Sequence, residues 1–240
     1  MKPTLVILPT YNEAENIPSL LMKLMQYPEA LHVLVVDDSS QDGTAAVVRE
    51  HQGSYPGRIH LLERPGKMGL GTAYIAGFRH AIQNGYELAV TMDADHSHNP
   101  VHLREILHMA KLADLVIGSR YIAGGGTRNW GPHRQFLSWG ANLLARTLLG
   151  LQARDCTSGY RCYRVRLLSK IQFERIHSNG YSFLMELLHY CQGHGARVRE
   201  IPIVFVDRLH GSSKISHKEI LKAFWMLWRL RQHRLKASGK

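Results

Sequence analysis

Long apolar runs are missing from this chain. None of its 240 residues lies in a stretch of the roughly 18 to 20 consecutive apolar side chains that a membrane-spanning helix needs. The N-terminus passes straight into a strand-like run, without the basic-then-apolar layout of a secretory signal, so the expected compartment is the cytosol. Cysteine is scarce: Cys156, Cys162 and Cys191 show no Cys-x-x-Cys spacing and form an odd set, which argues against a disulfide framework and a structural zinc site. Internal repeats and low-complexity tracts are absent. Acidic residues are in deficit, 19 against 30 Lys and Arg, giving a net charge of +11. Such a balance implies an anionic partner: nucleic acid, a phosphorylated substrate or an anionic lipid surface. The excess is C-terminal, since residues 201–240 hold nine Lys/Arg against two acidic residues.

What is present is a regular alternation. Apolar runs at Thr4–Leu8, Val33–Val36, Arg58–Leu62, Leu88–Met92 and Leu115–Ile117 read as strands. Between them, Glu13–Met25, Gly43–His51, Gly71–Gln83 and Val101–Lys111 carry helical spacing. Strand and helix alternating through short connections predict an α/β fold with a parallel sheet flanked by helices on both faces. Residues 119–135, with Gly124-Gly125-Gly126 and Asn129-Trp130-Gly131-Pro132, read as a long loop of the kind that serves function.

Three strand ends then align. Asp93-Ala94-Asp95 follows the fourth apolar run, Pro9-Thr10-Tyr11-Asn12-Glu13 closes the first, and Asp37-Asp38-Ser39-Ser40-Gln41-Asp42-Gly43-Thr44 closes the second. In an open α/β sheet, ligands bind outside the carboxyl ends of the strands. There a ring to stack and carboxylates for ribose, base or metal suit a nucleotide. Each segment alone also fits a capped turn, with Thr10, Asn12, Ser40 or Asp42 as the cap. Their coincidence at one sheet edge favours a ligand site.

Taken with Gly69-Leu70-Gly71, Gly118-Ser119-Arg120-Tyr121 and Thr157-Ser158-Gly159-Tyr160-Arg161, these segments resemble the inverting family 2 glycosyltransferases of GT-A fold, a Rossmann-like, mostly parallel sheet. More narrowly, they are similar to the dolichol-phosphate (polyprenol-phosphate) mannose synthases. The resemblance spans roughly residues 4–216. It implies a catalytic domain over 1–216 that transfers mannose from GDP-mannose to a polyprenyl phosphate with inversion. Pro9, Tyr11, Glu13, Val36 and Asp38 would hold guanosine. Asp93 and Ala94 would approach the sugar nucleotide, and Asp95, with Asp93, would hold Mg²⁺ or Mn²⁺. Arg208 and Lys214 would close over the donor, and Arg120, Arg134 and Ser138 would grip the acceptor phosphate, with Asp93, Asp95 and Arg120 carrying the chemistry. One departure stands out: where this family often has Gln two residues beyond the second Asp, contributing to the metal site, this chain has Ser97. His96 and His98 flank it as a surface pair, of which His98 is the candidate metal neighbour.

Elementary chemistry agrees with that implication. Glycosyl transfer passes through an oxocarbenium-like state with an anionic leaving group. A sugar-hydroxyl acceptor needs a general base, whereas a phosphate monoester is already anionic and needs orientation. Arginine forks suit that task better than lysines. Alternatives are glucose from UDP-glucose, a saccharide hydroxyl as acceptor, or a basic nucleic-acid-binding module. The last leaves Glu13, Asp93 and Asp95 lining a site that repels phosphates, so no nucleic-acid partner is expected. Gly69-Leu70-Gly71 lacks the full dinucleotide pattern and reads as tight packing. No Gly-x-Ser-x-Gly elbow supports a hydrolase built on Asp155 and Ser158.

Residues 217–240 form the second predicted unit. At about 100° per residue, Lys218, Lys222, Arg229 and Lys236 share one helix face, and Ile220, Leu221, Phe224, Trp225, Leu227, Trp228 and Leu235 gather opposite. Such a helix packs on its own domain or lies in the plane of an anionic membrane. A polyprenyl acceptor favours the membrane, and with it a peripheral enzyme on the cytoplasmic face, bound directly or through a separate membrane-anchor protein.

Overall fold

The computed structural model describes residues 3–28, 30–207 and 225–232. Its core is a seven-stranded sheet built from β1 (Thr4–Thr10), β2 (Leu31–Asp37), β3 (Ile59–Glu63), β4 (Leu88–Thr91), β5 (Leu115–Ser119), β7 (Arg161–Arg164) and β8 (Val198–Pro202). The order is β3-β2-β1-β4-β7-β5-β8, and every pairing is parallel except those of β7, which runs antiparallel to both β4 and β5. A second, two-stranded parallel ribbon joins β6 (Gly126–Arg128) to β9 (Val204–Val206).

The strands are near-continuous apolar runs because both faces are covered. On one face, α1 (Ile17–Met25), α2 (Thr44–Ser54) and α4 (Leu103–Met109) enclose a core containing Val6, Leu8, Leu21, Val33 and Val90. On the other, α3 (Leu70–Gln83), α5 (Pro132–Leu149), α6 (Val165–Leu168) and α7 (Gly180–Gly193) enclose Leu5, Ile7, Phe78, Tyr163 and Phe183. Two glycines set how closely α3 approaches. A Cβ on Gly77 would stand 2.4 Å from Ile7 of β1, and one on Gly71 would stand 2.8 Å from Phe183 of α7. Gly69-Leu70-Gly71 is therefore a packing device, as its spacing predicts.

Several boundaries move for identifiable reasons. The first helix begins at Ile17 rather than Glu13, with Pro18 in its opening turn, where a missing N–H costs nothing. The helix expected from Val101 opens as a 3₁₀ turn, Pro100–His102, whose first N–H is taken by the Asn99 side chain. The long loop expected over 119–135 contains β6 and the start of α5, an eighteen-residue helix that the sequence reading does not mark.

One topological fact places the site. The chain runs outward from β1 through β2 to β3, then returns to the other side of β1 as β4. The crevice between the ends of β1 and β4 is thus a switch point of the sheet, where ligands of such folds bind. Antiparallel β7 starts at that same edge, its Arg161 paired with Thr91 of β4 and Ile117 of β5, and so brings residues 155–160 there as well.

Residues 225–232 are helical and lie against the α3/α7 face through Met226, Leu227 and Leu230, all buried. Arg229, expected on a solvated basic face, instead ion-pairs with Glu186 of α7, which is fully buried. Trp225 and Trp228 point outward, 67% and 49% exposed. The remainder of the predicted amphipathic helix lies outside the described residues.

Candidate active site

The loops after β1, β2 and β4, and the segment after β6, each hold a non-glycine residue in the left-handed backbone region: Asn12 (φ 58°), Ser39 (φ 56°), His96 (φ 63°) and Asn129 (φ 64°). This conformation is uncommon and persists where surrounding contacts over-determine it, as they often do at binding sites. The first two loops brace each other. Ser40 Oγ accepts from Asn12 N–H (2.9 Å), Asn12 Oδ1 accepts from Gln41 N–H (2.9 Å), and Thr44 Oγ1 accepts from Glu13 N–H (3.0 Å). Pro9 and Val36 are register partners on β1 and β2, so Pro9, Tyr11, Glu13, Val36 and Asp38 do come together. Tyr11 is partly exposed, with Lys67 Nζ 4.0 Å from its ring centroid. The Asp38 carboxylate is buried against Arg64 and accepts from Met68 N–H at 3.1 Å. It therefore fixes the loop ahead of α3.

At the end of β4 the two acidic side chains are held differently. Asp93 Oδ1 accepts from the buried Tyr74 hydroxyl (3.1 Å), and Asp93 N–H donates to His98 Nδ1 (3.0 Å). Burial first, then the Asp93 charge, pushes the Tyr74 phenol well above its ordinary range, so it remains a donor. Asp95 Oδ1 accepts from both Ser97 N–H (3.1 Å) and the Ser97 hydroxyl. Ser97, where the usual Gln is missing, thus orients Asp95. Ala94 between them is buried.

His98 is not the surface residue its sequence setting suggests. It is 1% exposed and stacks near Tyr160, with ring centroids 5.1 Å apart. Burial lowers its pKa, partly offset by Asp93 and Asp95. With Nδ1 accepting from the backbone, it is a neutral imidazole that shapes the turn. His96 bonds Ser19 instead (2.9 Å).

The opposite wall is basic and aromatic. Arg120, at the end of β5, places Nε 2.7 Å from Asp155 Oδ2 and Nη2 2.8 Å from Asp155 Oδ1 and 2.7 Å from Thr157 Oγ1. Burial opposes charge on Asp155, but Arg120 outweighs it and the carboxyl pKa is lowered. Arg134 ion-pairs with Asp207 and lies 4.1 Å from the Trp130 ring centroid, with Arg120 5.2 Å from the same ring. Ser138 Oγ accepts from the Tyr121 hydroxyl (2.7 Å). Arg161, fully buried, donates to the carbonyls of Ser158, Leu184 and Cys156 and ties the 156–158 loop to α7. Arg208 and Lys214 lie outside the described residues.

A cavity lies between the end of β4 and this basic wall, bounded by Asp93, His98, Arg120, Trp130, Arg134 and Ser158 among others. A second cavity, about 720 Å³, opens between the end of α5, α7 and the 225–232 helix and shares no described residue with the first. Asp155, Thr157, Ser158, Trp130 and Tyr74 were not singled out as site residues by sequence reasoning. The Thr157-Ser158-Gly159 segment and the 119–135 loop that holds Trp130 carried the signals for them.

A family model described as glycosyl transferase family 2 matches residues 5–172. A polyprenol monophosphomannose synthase of Mycolicibacterium smegmatis is 43% identical over 239 residues, 98% of this chain and 90% of that protein. An undecaprenyl-phosphate mannosyltransferase of Micrococcus luteus is 44% identical over 212 residues, 88% of this chain and 87% of that protein. Among solved structures, a mannosyltransferase of Pyrobaculum calidifontis in complex with GDP-Man and Mn²⁺ shares the fold, with a TM-score of 0.57 at 21% identity over 100% of this chain and 76% of that one.

Proposed function

This chain belongs to glycosyl transferase family 2, and on that footing we propose that it transfers mannose from GDP-mannose to the phosphate of a polyprenyl lipid, with inversion. The observation that carries the reading is a cavity in which the Asp93 strand end meets Arg120 and Arg134. Its basic wall suits an anionic acceptor, and the β1 and β2 loops at the same end of the sheet offer the nucleotide its place. The names of the two curated relatives support the choice of mannose and of a lipid phosphate.

In this reading, Pro9, Tyr11, Glu13, Val36 and Asp38 hold guanosine, while Asp93 and Ala94 position the sugar. A phosphate oxygen of the acceptor attacks the anomeric carbon. As that C–O bond forms, the bond to the β-phosphate oxygen breaks, and GDP departs with the electron pair. The phosphate monoester is anionic at neutral pH, so Arg134 and the Arg120 assembly orient it without removing a proton. Neutral His98 keeps the turn carrying Asp93 in place.

Two carboxylates suit a divalent cation that takes its remaining ligands from diphosphate and water, as Mg²⁺ usually does. No cluster of three or more His, Cys, Asp or Glu side chains arranged to hold a metal occurs among the described residues. Asp95, oriented by Ser97, would hold Mg²⁺ or Mn²⁺ together with Asp93. When bound, the cation supplies charge neutralisation on the leaving diphosphate.

The lipid tail places the reaction at a membrane surface. No helix among the described residues is long and apolar enough to cross one. However, α5 exposes Phe136, Trp139 and Leu143 at helical spacing, and Trp225 and Trp228 are exposed on the last described helix. We read 1–216 as the catalytic unit of a peripheral enzyme on the cytoplasmic face, and 217–240 as a segment that packs on it through Met226, Leu227 and Leu230 and turns Trp225 and Trp228 toward the membrane. Supplying GDP-mannose and UDP-glucose separately with a polyprenyl phosphate, and assigning the anomeric configuration of the lipid product by NMR, tests the reading. A β-mannosyl product is expected; a glucosyl or an α-linked product would refute it.

A further inference from the structure

Three hydrogen-bonding atoms on the walls of the site cavity are buried without a partner among the described residues: Trp130 Nε1, Arg134 Nε and Ser158 Oγ. Buried polar atoms are ordinarily satisfied, and a group left over in a native structure calls for an explanation. Ser158 is only 3% exposed, so bulk solvent does not supply one. Two of the three atoms, the indole and guanidinium N–H groups, can only donate, and the hydroxyl can donate as well. What fits between them is therefore a cluster of acceptor oxygens.

The surrounding charge narrows the choice. Arg134 is matched by Asp207 and Arg120 by Asp155, and Asp93 adds a further carboxylate to the lining, so the cavity is not a positive hole. Recognition here comes from directed donors rather than from net charge. Sulfate-like or phosphate geometry, several oxygens on one centre, answers three donors on the wall of one cavity better than a lone hydroxyl does. Position then separates the two phosphates of the reaction. Trp130 and Arg134 follow β5, and Ser158 precedes β7; both strands lie beyond β4, away from the β1 and β2 loops that build the nucleotide end.

We infer that Trp130 and Ser158 are acceptor-binding residues, donating with Arg134 Nε to the phosphate of the lipid substrate beside Arg120, whose Nε and Nη2 are held by Asp155 and Thr157. The inference rests on the proposed reaction and sharpens it, because it adds a tryptophan and a serine to the groups that hold the acceptor phosphate.

Two variants test it. Trp130→Phe keeps an aromatic ring beside Arg134 but loses the N–H together with the five-membered ring that carries it, and Ser158→Ala removes only the hydroxyl. A lost hydrogen bond to a charged group corresponds to roughly a tenfold or greater weakening. Each variant is expected to raise KM for polyprenyl phosphate about tenfold and to leave KM for GDP-mannose within about twofold. Binding of farnesyl phosphate, measured by calorimetry in the presence of GDP, should weaken in parallel. A rise in donor KM instead would assign the donors to the diphosphate and overturn the acceptor assignment, and unchanged values for both substrates would overturn the site altogether. Wild-type protein that transfers no sugar to any lipid phosphate would refute the reaction itself, an outcome visible before any variant is made.

Discussion

Asp155 holds Arg120 from three directions, accepting from its backbone N–H at 3.0 Å, its Nε at 2.7 Å and its Nη2 at 2.8 Å, with both side chains buried. The contact joins the end of β5 to the loop before β7, 35 residues apart. Removing one partner of a buried pair strands the other charge, at a cost of about 3–5 kcal/mol. Asp155→Asn should therefore lower unfolding free energy in urea by about that amount. A change below about 1 kcal/mol would mean that the pair is solvated like a surface ion pair.

Asp95 is the proposed cation ligand, and Ser97 orients it. Charge stabilisation of a leaving group by a metal is worth several kcal/mol, so Asp95→Ala should reduce kcat at saturating Mn²⁺ by about a thousandfold or more. Chelation of wild-type enzyme with EDTA should do the same, reversibly. Activity retained by the variant, with unchanged metal dependence, would remove Asp95 from the role.

A stability effect follows from three histidines far from the chemistry in sequence. His32, His60 and His80 form a ring cluster with centroids 5.8 Å apart in each neighbouring pair, and burial lowers the pKa of all three. Their folded values lie below that of the unfolded chain, near 6.5. As pH falls through about 6.5, the unfolded state takes up protons that the folded state refuses, so stability drops toward acid and is fully recovered above it. Thermal unfolding at pH 7.5 and 5.5 should show the lower Tm at 5.5, and His60→Gln should shrink the difference. An equal difference in the variant would exclude the cluster as its source.

The exposed face of α5 bears on where the enzyme works. Phe136 is 69% and Trp139 52% exposed, one turn apart. Burying an aromatic side chain in a lipid interface is worth about 1.5–3 kcal/mol. Phe136→Ser and Trp139→Ser should each weaken co-sedimentation with anionic liposomes by about tenfold or more, with little change in thermal stability. Undiminished sedimentation would assign membrane contact to other parts of the chain.

The first half of the molecule was legible because its strands are uninterrupted apolar runs ending in polar clusters; β1 to β5 lie where the pattern puts them, and Asp93 and Asp95 close β4. The second half was not. Arg161-Cys162-Tyr163-Arg164 is short and charged at both ends, and nothing in that pattern reveals that it slots antiparallel between β4 and β5. His98 looked solvated because its polarity is visible in the sequence, while the Asp93 N–H that satisfies it within the fold is not. Arg120 looked like an open fork because Asp155 lies far along the chain, and Arg229 looked solvated because Glu186 does. Arg120 and Arg229 find partners that only tertiary structure supplies, and His98 is buried by a local turn whose shape its spacing does not disclose.

The most direct test of the central claim is transfer itself. Purified protein, Mn²⁺ and GDP-[¹⁴C]mannose are incubated with a polyprenyl phosphate or with the matching polyprenol, and label is counted in the organic phase. A labelled lipid is expected from the phosphate, released as mannose by mild acid, and none from the alcohol. Absence of label with the phosphate, or equal label with the alcohol, would contradict it.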